Sequence, residues 1–254
     1  MSENVPSSWL DSPTWRPVAR ARAHELVIEA IEDQILSGAL KVGDPLPAER
    51  ELAARLQVSR AGVREAIRVL EGQGVLRSSV GAGAEAGTFI ASFSGEALTR
   101  FLRLHIALSN FQLADVIDAR VMLERSSAIF AAENLNDESV AGIRDPLNRM
   151  NSEAISREEF NDADTAFHVA IAEASGNRLV ADLTIAIRAS LRAPILEAFR
   201  QLNDWSPVVT MLREQHQAIF DAIIAGDGKL AADLTEHHIR AASGALPALH
   251  SPGE

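Results

Sequence analysis

The stretch Gly43-Asp-Pro-Leu-Pro47-Ala-Glu-Arg50-Glu-Leu-Ala-Ala-Arg55-Leu-Gln-Val-Ser59-Arg60-Ala-Gly-Val-Arg64-Glu-Ala-Ile-Arg68-Val-Leu-Glu-Gly72 decides the fold of the first part of the chain. Pro47 suits the first position of a helix, where its missing N–H costs nothing, and this helix is expected to run to about Leu56. Gln57-Val58 make a short turn. Ser59 is an N-cap candidate for a second helix, 60–72, with Val63, Ile67 and Leu70 facing inward. Gly72 and Gly74 end it. Val75-Leu76-Arg77 and Thr88-Phe89-Ile90 then read as two short strands, and the small, Gly/Ala-rich residues between Ser78 and Gly87 suit an exposed hairpin loop. Two short helices, a tight turn and a hairpin describe a winged helix-turn-helix.

Upstream, Leu26, Ile28, Ile31, Ile35 and Leu36 recur at helical spacing over 20–37, with Gly38 as the stop. Residues 41–47 form a turn-rich connector. Residues 1–17, with three Pro, four Ser and two Trp, carry no helical period and are expected to be a flexible tail. Downstream, 91–96 is a plausible hinge. After it the strand signals stop, and amphipathic helical segments are expected at about 96–109, 111–134, 137–152, 157–175, 178–202, 207–225 and 228–245. Ser156 with Glu159 forms a capping-box pattern. Ser206-Pro207 gives an N-cap and a first-turn Pro. Gly176 and Gly226 follow helix ends, and Pro194 is expected to kink its helix. The expected fold is mainly α: a winged helix-turn-helix over 18–92, then an all-α antiparallel bundle over 96–246.

The chain has 254 residues and 47% hydrophobic residues, enough for a substantial core. It has no Cys, which excludes disulfides, Cys-ligated zinc, iron–sulfur clusters and thiol catalysis. No apolar run approaches the length of a membrane span, and the polar N-terminus lacks the layout of a signal peptide. A cytoplasmic location is expected. The net charge of −11 argues against indiscriminate binding to nucleic acid. Within 50–77, however, Arg50, Arg55, Arg60, Arg64, Arg68 and Arg77 face only Glu51, Glu65 and Glu71. A local basic patch on an acidic chain points to a nucleic-acid footprint.

A recognition helix must present short polar and Arg side chains from its first turns to the major groove. Arg60 and Arg64, four residues apart, share one helix face, and Arg50 stands near the start of the preceding helix, where a phosphate can be met. The same arginines also fit an ordinary solvated face, with Arg64 and Arg68 paired to Glu65 or Glu71. The motif as a whole, Gly43-Asp44-Pro45-Leu46-Pro47-Ala48-Glu49-Arg50-Glu51-Leu52-Ala53, then Val58-Ser59-Arg60, then Val63-Arg64-Glu65-Ala66-Ile67, resembles the DNA-binding domain of the GntR superfamily of bacterial repressors. The resemblance implies that Arg50, Arg60 and Arg64 contact operator DNA and that Gly81 of the wing enters the minor groove. Ser59, Ala61 and Gly62 complete the candidate DNA-binding set. Ala61 and Gly62 stand where that family commonly has polar residues, and the Val80–Gly87 wing is longer than its usual compact turn.

In the second part, Asp164 and His168 are at i, i+4 and project from one helix face. His216 and His238 lie on later helices that antiparallel packing can bring near. Imidazoles and a carboxylate without thiolate suit Zn²⁺, Ni²⁺ or Mn²⁺. A single His on a helix is more often surface or core filler, so spacing alone leaves both readings open. Asp164-Thr-Ala-Phe-His168, Ala174-Ser-Gly-Asn177, His216-Gln-Ala-Ile-Phe-Asp-Ala-Ile223 with Gly226-Asp227, and Glu236-His-His238-Ile239 resemble the FCD domain, the helical effector-binding domain of the FadR subfamily of GntR proteins. The resemblance implies that Asp164, His168, His216 and His238 ligate a divalent metal, zinc first among the candidates. It also implies that Arg120, in an Arg-x-x-x-Glu pattern with Glu124, reaches toward the effector pocket. A bland alternative for Arg120 is a simple i, i+4 pair with Glu124. Asn177, Arg188 and Arg192 are further effector-binding candidates.

The reading favoured by these motifs is a homodimeric, ligand-responsive regulator, most often a repressor, that binds a short inverted repeat of double-stranded DNA and a small organic acid. Two alternatives stand beside it. One is the same regulator with a purely structural metal and a different effector. The other is a metal-dependent hydrolase, for which no additional Glu at metal-motif spacing, no His-Glu-x-x-His and no nucleophile elbow is present.

Overall fold

The computed structural model describes residues 23–79, 86–92, 95–108 and 110–246. The tail 1–17 and the wing residue Gly81 lie outside the described residues. Contacts divide the chain into two units, Met1–Phe93 and Ser94–Glu254, and the buried residues of each form separate cores.

The first unit is a winged helix-turn-helix: α1 (Ala23–Leu36), α2 (Glu49–Leu56), α3 (Arg60–Gly72), then β1 (Leu76–Ser79) and β2 (Gly87–Ile90) paired antiparallel with Leu76 opposite Ile90. Ser59 caps α3 as expected, its Oγ accepting from the Gly62 amide at 3.1 Å. Val63, Ile67 and Leu70 face inward, joined by Ala66. The buried face of α1 is Val27 and Ile31, whereas Leu26 and Leu36 of the expected stripe are exposed. α2 begins at Glu49, two residues after Pro47. The reason is part local and part distant. Leu46 precedes a proline and is pushed to extended backbone, and the connector pairs with β2 through Leu46 N–Thr88 O (2.8 Å) and Ile90 N–Asp44 O (2.9 Å). What reads as a loop is therefore a third edge on the hairpin. The α2–α3 turn is closed by Gln57, a non-glycine residue at φ +54°.

The second unit is the helical bundle: α4 (Glu96–Ala107), α5 (Leu113–Glu133), α6 (Asp137–Met150), α7 (Arg157–Ala174), α8 (Arg178–Gln201), α9 (Ser206–Ile224) and α10 (Gly228–Gly244). The Ser156–Glu159 capping box is present in full. Three-residue turns at Gly176 (φ +71°) and Gly226 (φ +73°) reverse the chain. Asn177 and Asp227 then cap the next helices, accepting from the amides of Val180 and Leu230. Ser206 is the first residue of α9 rather than its cap, which is Trp205. α8 runs unbroken through Pro194, whose ring is exposed. α5 packs on α10, α7 and α8, and α9 packs on α10. At the α5–α10 seam Gly228 permits a close approach: a Cβ there would lie 3.1 Å from the backbone of Ile129. Arg125 clamps the same seam, donating to Asp233 (2.7 Å) and Glu236 (2.8 Å).

Candidate metal centre and DNA-reading face

α7 contributes Asp164 and His168, α9 contributes His216 and α10 contributes His238. All four side chains are buried, and one donor atom from each lies within 4.8 Å of the others. His168 Nε2 and His216 Nε2 are 3.3 Å apart. Asp164 Oδ1 is 3.0 Å from His216 Nε2 and 4.0 Å from the Nε2 atoms of His168 and His238. An ion about 2.1 Å from each donor would separate neighbouring donors by about 3.0–3.4 Å and opposed ones by about 4.2 Å, and the separations of 3.0, 3.3 and 4.0 Å fall in that range.

The outer nitrogens sharpen this. His168 Nδ1 meets Glu124 Oε2 at 2.8 Å, and His238 Nδ1 meets Gln215 Oε1 at 3.0 Å. Each outer nitrogen thus carries the proton, and each Nε2 turns a lone pair inward beside the Asp164 oxygen. Converging lone pairs are the chemistry of a cation site, and outer-nitrogen partners of this kind orient metal-binding histidines. His216 differs: its Nδ1 is buried without a partner among the described residues, and its ring packs edge-to-face on Phe167 at 5.0 Å.

Around the donors lies a buried ionic network. Arg188 donates to both oxygens of Glu124 (2.9 and 2.7 Å) and to Asp164 Oδ2 (2.8 Å). Arg120 donates through Nε to Glu124 at 2.6 Å. Burial pushes the Glu124 carboxyl up, but Arg120, Arg188 and His168 outweigh it and hold it well below the usual range. Burial likewise opposes Arg188 and His216 at Asp164 and loses. Burial, reinforced by Arg188, lowers His168 to about 4. Burial and the neighbouring histidines hold His238 well below its ordinary value. His168 and His238 are therefore neutral, as ligation requires. The two arginines balance the two carboxylates, so a divalent ion would enter with its charge uncompensated.

Beside this network lies a cavity of about 20 Å³ lined by Arg120, Asp164, His238, Ile117, Ser243 and Leu246 among others. Arg120 is both an i, i+4 partner of Glu124 and a wall of the cavity. Among the described residues only its Nε is engaged. Arg188 is consumed by the two carboxylates. Asn177 and Arg192 are not brought to the cavity: Asn177 is the exposed cap of α8, and Arg192 pairs with Asp162 on the surface. Gln215 was missed by sequence reasoning, since nothing in the chain next to a histidine marks it as that residue's neighbour's partner.

On the first unit, Arg50, Ser59, Arg60, Ala61 and Arg64 are exposed. Gly62 is half-buried, and a Cβ there would lie 3.0 Å from the Ala23 Cβ of α1. That close approach is a physical reason for glycine at this position. Arg64 pairs with neither Glu65 nor Glu71 but with Glu49 of α2, through Nε (3.2 Å) and Nη2 (2.8 Å). Arg68 approaches Glu65 only at 3.9 Å.

Residues 23–85 match the family "Bacterial regulatory proteins, gntR family", and residues 115–241 match the FCD domain. The HTH-type transcriptional regulator LutR of Bacillus subtilis (strain 168) is 32% identical over 199 residues, covering 76% of this chain and 87% of its own length. The chain belongs to the GntR family of bacterial regulatory proteins. A second relative, the putative L-lactate dehydrogenase operon regulatory protein of Escherichia coli (strain K12), is 34% identical over 194 residues, covering 74% of this chain and 72% of its own. Among solved structures, Streptococcus agalactiae GntR superposes with a TM-score of 0.53 at 25% identity, covering 86% of this chain and 98% of that one. This GntR-family protein is thus a DNA-binding transcriptional regulator with an FCD domain, and the matched families and relatives are regulators rather than enzymes. The hydrolase reading is set aside on that ground. No helix among the described residues is long and apolar enough to cross a membrane.

Proposed function

We propose that this regulator acts as a cytoplasmic homodimer, most often as a repressor, that binds a short inverted repeat and is modulated by a small carboxylate metabolite. The reader spans 18–92, with Arg50, Ser59, Arg60, Ala61, Gly62, Arg64 and Gly81 as its DNA-facing set. The sensor spans 96–246, where Asp164, His168, His216 and His238 would hold a divalent ion, zinc before nickel or manganese. When bound, the ion supplies a Lewis-acidic anchor for an acid. One observation supports the effector class: Arg120 lines the same cavity as Asp164 and His238, and among the described residues its hydrogen bond to Glu124 uses Nε. A carboxylate there would meet a guanidinium fork and balance charge that Glu124 and Asp164 leave uncompensated. The E. coli relative is a putative L-lactate dehydrogenase operon regulatory protein, which supports a small hydroxy acid as the first candidate.

A cavity of about 20 Å³ has room for about one water, so an acid must displace part of its wall. Ser243 lies in the last turn of α10, the helix that also carries His238, and Leu246 follows just beyond its end. Effector entry would therefore bias α10, which is a route to coupling only if the acid prefers the displaced state. The same small cavity favours a second reading, in which the metal is structural. A thermal-melt series of the purified protein against L-lactate and other small acids, with and without chelator, separates the two. A ligand at about 100 times its Kd adds roughly 2.7 kcal/mol. A shift that vanishes with chelator supports the sensor. Melting on chelation without any acid response supports the structural metal.

A further inference from the structure

Glu49 is a carboxylate on the face expected to meet DNA phosphates, and it stands close to Arg64, Arg60 and Arg68. By charge alone it weakens binding to every sequence. Its side chain is not there for the fold: the pair it makes with Arg64 is solvent-exposed, 32% and 53% respectively, and exposed pairs contribute little stability. Packing of α2 on α3 rests instead on Leu52, Ala53, Val63 and Ile67.

The geometry of the pair gives it a different use. Glu49 takes the Nε and Nη2 edge of the Arg64 guanidinium, one oxygen to each nitrogen. That leaves the opposite edge, Nη1 with the second proton of Nη2, as an open two-donor fork. Such a fork matches the O6 and N7 acceptors of guanine in the major groove. An unheld arginine is a flexible charge that satisfies itself on any phosphate, whereas a held planar fork has a direction. Among the described residues, Arg64 is the arginine of this face held at two nitrogens by one carboxylate. Arg55 makes a single bond to Glu51, and among the described residues neither Arg50 nor Arg60 is hydrogen-bonded to a carboxylate, although Arg60 feels the charge of Glu49.

We propose that Glu49 is a specificity-determining positioning residue: by clamping one edge of Arg64 it presents the other edge to a guanine and trades general affinity for sequence selectivity. The inference rests on the reading of α3 as the helix that enters the major groove.

The test is selection of binding sites from a randomised duplex library by the full-length protein, compared for wild type, E49Q, R64A and the double variant. Binding to an unselected duplex at fixed salt and a thermal melt accompany it. R64A should abolish preference for guanine at one position of each half-site. E49Q keeps a single acceptor and loses the charge. It should relax that same position by about tenfold, within the range a bidentate base contact supplies, while binding the unselected duplex more tightly and melting like wild type. In the R64A background E49Q should change no base preference. The proposal is overturned if E49Q keeps full preference at that position, if it relaxes all positions alike, or if its effect persists without Arg64. It is also overturned if E49Q melts earlier in proportion to its loss of selectivity, since the pair would then be structural. Failure of wild type to enrich any sequence would instead sink the DNA-reading assignment of α3.

Discussion

Replacing Arg188 by methionine probes the charge balance of the buried network directly. Arg188 donates three hydrogen bonds of 2.7–2.9 Å to Glu124 and Asp164, and all three side chains are buried. Methionine keeps much of the volume, so the loss is electrostatic rather than a cavity. Removing one partner of a buried ion pair costs about 3–5 kcal/mol. For a chain of this size each kcal/mol moves the melting temperature by about 2–4 °C, so the metal-free variant should melt roughly 6–20 °C below wild type. The variant network carries one negative charge in excess, and a divalent ion held by Asp164 and the histidines would offset it. Scanning calorimetry of both proteins, chelated and then zinc-loaded, is the assay. Zinc should recover at least half of the deficit, because it supplies Asp164 with the cation that Arg188 provided. An equal deficit with and without zinc would refute the charge argument. So would a metal-free loss below about 1 kcal/mol.

Three further outcomes follow from the same structure. Burial pushes His168 down to about 4 in the folded chain, against about 6.5 for an unperturbed imidazole, so the unfolded chain binds more protons between those values. Stability of the metal-free protein is therefore present above pH 6.5 and lost as pH falls toward 4, by on the order of 3 kcal/mol from this group. Urea midpoints at pH 7, 5.5 and 4 measure it, and a flat series contradicts it. Gly228→Ala must push the rigid Ile129 backbone away by a few tenths of an ångström, and overpacking of this kind costs about 1–3 kcal/mol. Because α10 carries His238, zinc affinity should fall with it in a competition titration. Gln57→Gly relieves a left-handed non-glycine position, and about 1 kcal/mol of added stability in the first unit is expected, read as a higher denaturant midpoint.

Much of the fold was legible because its signals are local. Ser59, the Ser156–Glu159 box, Gly176 and Gly226 act on amides and carbonyls within a few residues, so their meaning does not depend on the rest of the chain. The same holds for Asp164 and His168, which one helix face brings together. Where sequence reasoning slipped, a distant partner had intervened. Pro47 looks like a first helical residue until the connector is seen to pair with Thr88 and Asp44 with Ile90. Arg64 looks like a partner for Glu65 until Glu49 of another helix reaches it.

The residue types of the candidate metal set were written in the chain and, with the family resemblance, named the histidines and aspartate in advance. Only the tertiary structure decided which way their rings face, because that depends on Glu124 and Gln215, one on α5 and one on α9, holding the outer nitrogens of His168 and His238. It also separated three arginines that look alike in sequence. Arg188 is spent on two carboxylates, Arg192 is at the surface with Asp162, and Arg120 alone of the three lines the cavity. Periodicity places a side chain on a face of its own helix. Which charges meet across helices is set by how those faces pack, and in a buried site that choice governs the chemistry.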